Sequence, residues 1–165
     1  MPRRDKVNLI KVVILGCGRV GSTIATTMFQ EGHDVTIIDQ NPDSFRRLGP
    51  DFAGTRILGN GIDEDTLRRA EVHKANAFVA TTNGDNRNIM SVQMAKVRFH
   101  VPKVVARIYD PNRAYAYAEL GIDTICTTCI GAGLMRDMIL GNQFGAVADY
   151  LHGGLVRTTE EDDNA

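Results

Sequence analysis

Lys11-Val12-Val13-Ile14-Leu15-Gly16-Cys17-Gly18-Arg19-Val20-Gly21 is the stretch that decides how this chain folds. An apolar run short enough for one buried strand leads into G-x-G-x-x-G, and an amphipathic stretch follows, with Val20, Ile24 and Met28 at helical spacing and Gly32 behind them. Glycine-rich turns are common, so the motif gains meaning only from this strand-and-helix context. Gly16 permits the tight turn, Gly18 lets a pyrophosphate approach the backbone, and Gly21 lets helix and strand pack closely. The helix start then offers unpaired N–H groups and partial positive charge to an anion. A second apolar run, Val35-Thr36-Ile37-Ile38, ends in Asp39, 18 residues past Gly21. A carboxylate at that strand end can accept hydrogen bonds from ribose hydroxyls. The pattern predicts an adenine nucleotide as ligand and disfavours NADP, whose 2′-phosphate would meet Asp39.

Outward from this unit, apolar runs and amphipathic stretches alternate. Further strands are expected at Thr55–Leu58, Ala77–Ala80, Val104–Arg107 and Asp123–Cys126, beside Lys11–Leu15 and Asp34–Ile38. Each is short, rich in Val, Ile or Phe, and bounded by polar or glycine residues, as buried parallel strands are. A helix with Met90, Met94 and Val97 on its apolar stripe is expected before Pro102. The fold predicted is α/β, a Rossmann-like doubly wound, mostly parallel six-stranded sheet in the order 3-2-1-4-5-6, its crevice beyond strands 1 and 4. A last helix, Ile130–Leu140, carries Leu134 and Met138 beside Met135 and Ile139, a broader apolar face than one side of a sheet requires. It either packs on its own sheet or forms a partner surface. Gly153-Gly154 and the acidic Glu160-Glu161-Asp162-Asp163 read as a disordered end.

The 165 residues suffice for one domain with a real core, and 43% hydrophobic with 24% charged residues are ordinary for a globular protein. A net charge of −1 gives no global basic field for nucleic acid. The apolar stretch behind Arg3-Arg4 is too short for a signal peptide or membrane span, so the chain is expected in the cytoplasm. Three cysteines suit a reducing compartment. Cys126-Thr127-Thr128-Cys129 has C-x-x-C spacing, but no second ligand pair accompanies it. A redox dithiol needs the first Cys at a helix start, which this spacing allows. The plainer expectation is that Cys126 closes a strand and Cys129 lies in the next helix's first turn. Cys17 simply fills an x position of the glycine loop.

Several polar residues fall at the C-terminal ends of the predicted strands. Asn60, after the third, can read the adenine edge or cap the next helix. Thr81, Thr82 and Asp85 follow the fourth, where Thr82 can meet a phosphate or ribose and Asp85 with Asn86 can cap a helix. Arg107 ends the fifth and can face a phosphate or pair with Asp110. Arg19, at the loop's mouth, can lie over phosphates or reach a neighbouring subunit's nucleotide. Proton-transfer machinery is not evident: Tyr115 and Tyr117 have no Lys at i+4, and His33 and His73 read as exposed residues at helix ends. Nucleotide binding without visible chemistry points to a sensor rather than an enzyme. The alternative is an NAD-dependent oxidoreductase module whose substrate domain lies on another chain.

Gly16-Cys17-Gly18-Arg19-Val20-Gly21, Ile38-Asp39-Gln40-Asn41, Gly59-Asn60, Ala80-Thr81-Thr82 with Asp85 and Asn88, Ala106-Arg107 and Leu120-Gly121-Ile122-Asp123 occur in that order. Together they resemble the RCK N-terminal (TrkA-N, KTN) domain of potassium-channel and potassium-transporter regulators, over roughly Val12 to Gly141. The resemblance implies a cytosolic Rossmann domain, peripheral at the inner face of the membrane, that binds NAD, NADH, ATP, ADP or AMP and gates a potassium channel or transporter. It implies a homodimer that assembles into a higher-order ring. Its nucleotide-contacting set would be Gly16, Cys17, Gly18, Arg19, Val20, Gly21, Asp39, Gln40, Asn60, Gly61, Thr81, Thr82 and Arg107, with Arg19 reaching phosphates across the dimer. The chain then divides into an N-terminal extension (1–10), the nucleotide domain (11–127), a crossover helix (128–142) and a partly disordered tail (143–165). One departure is that Thr127-Thr128 stand where the family usually has proline after the sixth strand.

Overall fold

The computed structural model describes residues 8–119 and 122–151. The basic N-terminus, Leu120-Gly121 and the glycine-rich, acidic end therefore lie outside the described residues. The strands are β1 (Lys11–Leu15), β2 (Asp34–Asp39), β3 (Thr55–Leu58), β4 (Ala77–Ala80), β5 (Lys103–Ile108) and β6 (Asp123–Cys126). Their order is β3-β2-β1-β4-β5-β6, as expected for a doubly wound sheet. The chain divides into two compact units, the first ending at Arg107 and the second beginning at Ile108.

In the first unit β1 lies between β2 and β4, with Val13 opposite both Thr36 and Phe78, and the pairs β1–β2, β1–β4, β2–β3 and β4–β5 are all parallel. Parallel strands carry helices on both faces, so both sets of alternating side chains must be apolar. On one face Val12, Ile14, Val35 and Ile37 join Cys17, Ala25, Leu48 and Phe52 in one buried cluster, with Ile24, Met28 and Phe29 packed against it. Each such Val or Ile taken from water stabilises the fold by about 1.5–3 kcal/mol. Helix α1 (Arg19–Gln30) starts directly behind the glycine loop, turns its small residues Gly21, Ser22 and Ala25 inward, and stops before Gly32. Helix α2 (Glu64–Arg69) is capped by the Asp63 carboxylate, which accepts from the Thr66 N–H and hydroxyl.

Helix α3 (Asp85–Gln93) runs on into a π-helical turn, Met94–Arg98. Its orientation differs from the sequence expectation. Met90 and Val97 are exposed, and the buried face is Asn88, Ile89, Ser91, Val92 and Ala95. Two polar residues hold core positions because their side chains are hydrogen-bonded, Ser91 Oγ donating to the Asn88 carbonyl at 2.9 Å. The π-turn also shifts the helical phase, which displaces Val97 from the stripe. His33 is a second correction. It is buried rather than exposed, and its Nδ1 accepts from the Ile10 N–H at 3.2 Å. His73 is exposed, as expected.

The second unit holds α4 (Pro111–Glu119), β6, α5 (Thr127–Leu140) and α6 (Val147–Leu151). Helix α5 begins three residues earlier than its apolar pattern suggested, because the Cys126 sulfur caps it by accepting from the Cys129 N–H at 3.2 Å. Cys126 and Cys129 are both buried free thiols, at the strand end and first turn where the plainer reading put them. Gly133 leaves a notch in α5 that the Tyr150 ring of α6 fills. The Tyr150 hydroxyl donates to Asp137 at 2.7 Å and accepts from the Gly145 N–H. Met135, Met138, Ile139 and Leu140 of α5 remain exposed.

Candidate functional site

The three loop glycines are glycine for three different reasons. Gly16 has φ +97°, and a Cβ on it would lie 3.0 Å from the Thr82 nitrogen and 3.1 Å from the Thr81 carbonyl carbon. Gly21 has ordinary helical geometry, but a Cβ there would collide with the Gly16 carbonyl oxygen and the Thr81 hydroxyl. Gly18 is unlike both: its φ is −78°, and a Cβ would meet nothing within 4 Å. The first two glycines are demanded by the protein's own packing. The third faces open space at the start of α1, and no side chain caps that helix end.

A web of backbone and side-chain bonds fixes the loop. Gly16 N donates to the Ile38 carbonyl at 2.8 Å, and Thr81 N donates to the Leu15 carbonyl at 2.8 Å. The buried Thr81 hydroxyl lies 3.1 Å from the carbonyls of both Leu15 and Gly16, so it is committed to the loop and not to the crevice. Asp39, at the end of β2, accepts from Cys17 N on one carboxylate oxygen at 2.6 Å and from Asn41 N on the other at 2.8 Å. Each oxygen keeps accepting capacity for a hydroxyl. The Cys17 thiol points into the core and donates to the Ser44 carbonyl at 3.2 Å. Burial, reinforced by the Asp39 charge, pushes that thiol up to about 11. The Cys17 side chain is thus turned away from the crevice, and its N–H is committed to Asp39.

The remaining predicted residues fall around the same strand ends. Arg19 is the first, exposed residue of α1 and has no carboxylate partner among the described residues; Val20 beside it is half-buried. Gln40 is exposed directly after β2. Asn60 is half-buried, and its side-chain oxygen accepts from Ile62 N at 3.3 Å; it does not cap α2, which Asp63 does. Gly61 is buried, and a Cβ on it would run into the Leu15 side chain, so the loop after β3 rests on the end of β1. Asp85 is likewise not the cap of α3. Gly84 holds that position and Asp85 lies in the first turn, where its negative charge favours the helix dipole.

Thr82 is half-buried just beyond β4 and belongs to a cluster with Asn88, a residue that the family motif carries beside it without a stated role. Asn88 Oδ1 accepts from the Thr82 N–H at 2.9 Å and from its hydroxyl at 2.6 Å. Asn88 Nδ2 donates to the Thr82 carbonyl at 3.1 Å and to the Arg107 carbonyl, in β5, at 2.8 Å. The sequence signal was a polar residue recurring with Val92 and Ala95 on one helical face, a position that must be buried once that face is inward. No group of His, Cys, Asp and Glu among the described residues could hold a metal ion.

A parallel sheet in this order, with a glycine-loop crevice and a ribose-competent carboxylate, defines a nucleotide-binding domain of the doubly wound class. The chain belongs to the TrkA-N domain family, whose model matches residues 12–128. It is 53% identical over 116 residues to the Trk system potassium uptake protein TrkA of Streptomyces coelicolor, covering 70% of this chain and 52% of that protein. The chain thus spans about half the length of that relative. Among solved structures it resembles the Kef C-terminal domain of Shewanella denitrificans in AMP-bound form, with TM-score 0.67 and 24% identity over 88% of this chain and 89% of that one. It also resembles GsuK bound to ADP, with TM-score 0.67 and 21% identity over 79% of this chain and 34% of that one. No helix among the described residues is long and apolar enough to cross a membrane.

Proposed function

We propose that this chain is the nucleotide-sensing part of a regulatory subunit of a potassium uptake system, and not an enzyme. The observation that carries the reading is Gly18, a glycine that neither backbone conformation nor packing requires. Empty space over a glycine at an uncapped helix start is what a diphosphate needs. In this reading the N–H groups behind Gly18 hold the phosphates, Asp39 takes the ribose hydroxyls, Asn60 faces adenine and Thr82 lies beside the nucleotide. AMP, ADP, ATP, NAD and NADH all fit these demands; NADP would set a phosphate against Asp39. The AMP-bound and ADP-bound proteins of similar fold support the ligand class, and the potassium uptake relative supports the process.

A sensor must favour different conformations with different ligands, since a ligand with equal affinity for two states shifts neither. The exposed apolar face of α5 would join two copies as a homodimer, and such dimers would form a ring at the cytoplasmic side of a membrane potassium channel or transporter. Arg19 would then sense the outer phosphates across the dimer. The test is a thermal-shift titration with ATP, ADP, AMP, NAD and NADH. A ligand at about 100 times its Kd stabilises by about 2.7 kcal/mol, or roughly 5–10 °C in Tm for a chain of this size. No shift with any of the five nucleotides would overturn the reading.

A further inference from the structure

Asn88 has all four of its amide positions occupied while fully buried. Its oxygen faces a backbone N–H and a hydroxyl, and its nitrogen faces two carbonyls. The opposite orientation would set the NH2 against the Thr82 N–H and the oxygen against both carbonyls, so the network admits one assignment only. Three of the bonds grip Thr82 by its amide, carbonyl and hydroxyl. The fourth reaches 19 residues along the chain to the carbonyl of Arg107. Arg107 is the last residue of the first unit, from which the chain passes into the second.

We infer that Asn88 is a positioning residue that couples the Thr82 turn at the nucleotide crevice to the C-terminal end of β5, through one side-chain amide bonded to both. A buried, saturated amide is stiff, because moving either partner alone leaves a donor or acceptor without a partner. A shift of Thr82 on nucleotide exchange is therefore passed to Arg107, and through the backbone toward the second unit. Thr82 Oγ1 donates to Asn88 and accepts from the Gly84 N–H at 3.3 Å, which leaves it one further accepting position for a ribose hydroxyl or a hydrated cation on the phosphates. The inference rests on the nucleotide reading for what moves Thr82, but the Asn88 linkage itself is independent of it.

Asn88→Asp keeps the size and the acceptor, and replaces the two-proton donor with a carboxylate facing two carbonyls. Amide hydrogen exchange on the whole chain, with and without ADP, tests the linkage. Without ligand, the variant should exchange faster than the parent at residues 81–84 and 104–108, by about five- to hundredfold from the loss of buried bonds, while Val12–Ile14 of β1 changes less. Equal rates in both proteins without ligand would overturn the assignment whatever the nucleotide does. With saturating ADP the parent should be protected at both segments, and the variant at 81–84 only. Parent protection confined to 81–84, or equal protection of 104–108 in both proteins, would overturn the coupling and leave nucleotide binding standing. No effect of ADP on the parent would overturn the nucleotide reading, with the ligand-free ratio still deciding Asn88. If Asn88→Asp does not fold, Asn88→Ser, whose hydroxyl is too short to reach both Thr82 and Arg107, should give the same segment pattern.

Discussion

The Asp39 carboxylate accepts a hydrogen bond from the Cys17 backbone N–H at 2.6 Å, tying the end of β2 to the first variable position of the glycine loop. One group is thus both a strut of the loop and an acceptor at its rim. Asp39→Asn removes the charge from this bond and sets an NH2 against one of two backbone N–H donors. Unfolding in urea should show a loss of about 1.5–3 kcal/mol, the usual value of a hydrogen bond to a charged group. Titrations should show weaker NAD binding and a higher NADP-to-NAD affinity ratio, since the repulsion of a 2′-phosphate goes with the charge. An unchanged ratio would remove Asp39 from the ribose site.

Gly21→Ala and Gly18→Ala should separate folding from binding. At Gly21 the new methyl collides with the Gly16 carbonyl and the Thr81 hydroxyl, and α1 must move off the sheet. The expected cost is about 1–3 kcal/mol or more, read from the urea midpoint. At Gly18 the methyl meets open space in a backbone conformation any residue adopts. Stability should be unchanged or raised by about 0.4–1 kcal/mol through the unfolded chain, while ADP affinity falls at least tenfold. Full ADP affinity in Gly18→Ala would show that the phosphates lie elsewhere.

These glycines also mark how far the sequence could be read. The strand starts and ends were legible because each run is bounded by Gly, Pro or polar residues and β1 and β4 are apolar on both faces. The side of α3 that faces inward was not legible. Met90, Met94 and Val97 give a cleaner apolar period than the buried Asn88, Ser91, Val92 and Ala95, and only the hydrogen bonds of Asn88 and Ser91 make that polar face a core. His33 escaped for the same reason, since its burial depends on a bond to Ile10 from another segment. At the crevice the residue types were legible and their division of labour was not. Thr81 and Thr82 are adjacent, yet one hydroxyl fastens the loop and the other joins the Asn88 cluster.

Acid sensitivity should centre on Glu71, at the opposite end of the sheet. Hydrogen bonds to Lys74 and Lys11, with the charges of both, hold its carboxyl down at about 2, from an ordinary 4.5. A carboxyl lowered by folding contributes stability above about 4.5 that is lost as pH falls from there through about 2. Lys11 opposes this at the alkaline end. Burial pulls it down, but hydrogen bonds to Glu71 and Asp34 raise it above 10.5, so its contribution is present below that value and lost as pH rises beyond it. Glu71→Gln should lower Tm at pH 7 and converge with the parent near pH 2. Because these groups are partly solvent-exposed, 1 M salt should shrink the gap at pH 7. A constant gap from pH 7 to 2 would place the effect in the backbone of Glu71, whose φ is +53°.

Cys17 should be chemically silent despite its place in the loop. With the thiol pushed up to about 11, roughly one in a thousand is ionised at pH 8, and its sulfur is enclosed by the core. Labelling with a disulfide reagent, followed by mass spectrometry of the Cys17 peptide, should proceed in native protein only at the rate of unfolding. Rapid native labelling would show that the loop opens far more often than its bonds allow.

Arg19 carries the last expectation, because it is an exposed cation at the mouth of the loop with no carboxylate partner among the described residues. In the proposed dimer, Arg19 at the first turn of α1 would stand where a third phosphate or a nicotinamide half differs from ADP. A fully solvated arginine gains about 1 kcal/mol or less from one more charge, whereas one desolvated against a second subunit gains severalfold more. Arg19→Ala should therefore leave AMP affinity nearly unchanged and reduce the ATP-to-ADP affinity ratio toward one. The reduction should be larger at protein concentrations that support a dimer, measured beside the sedimentation profile of the same samples. Equal ATP-to-ADP ratios in parent and variant would exclude Arg19 as the group that distinguishes the phosphates.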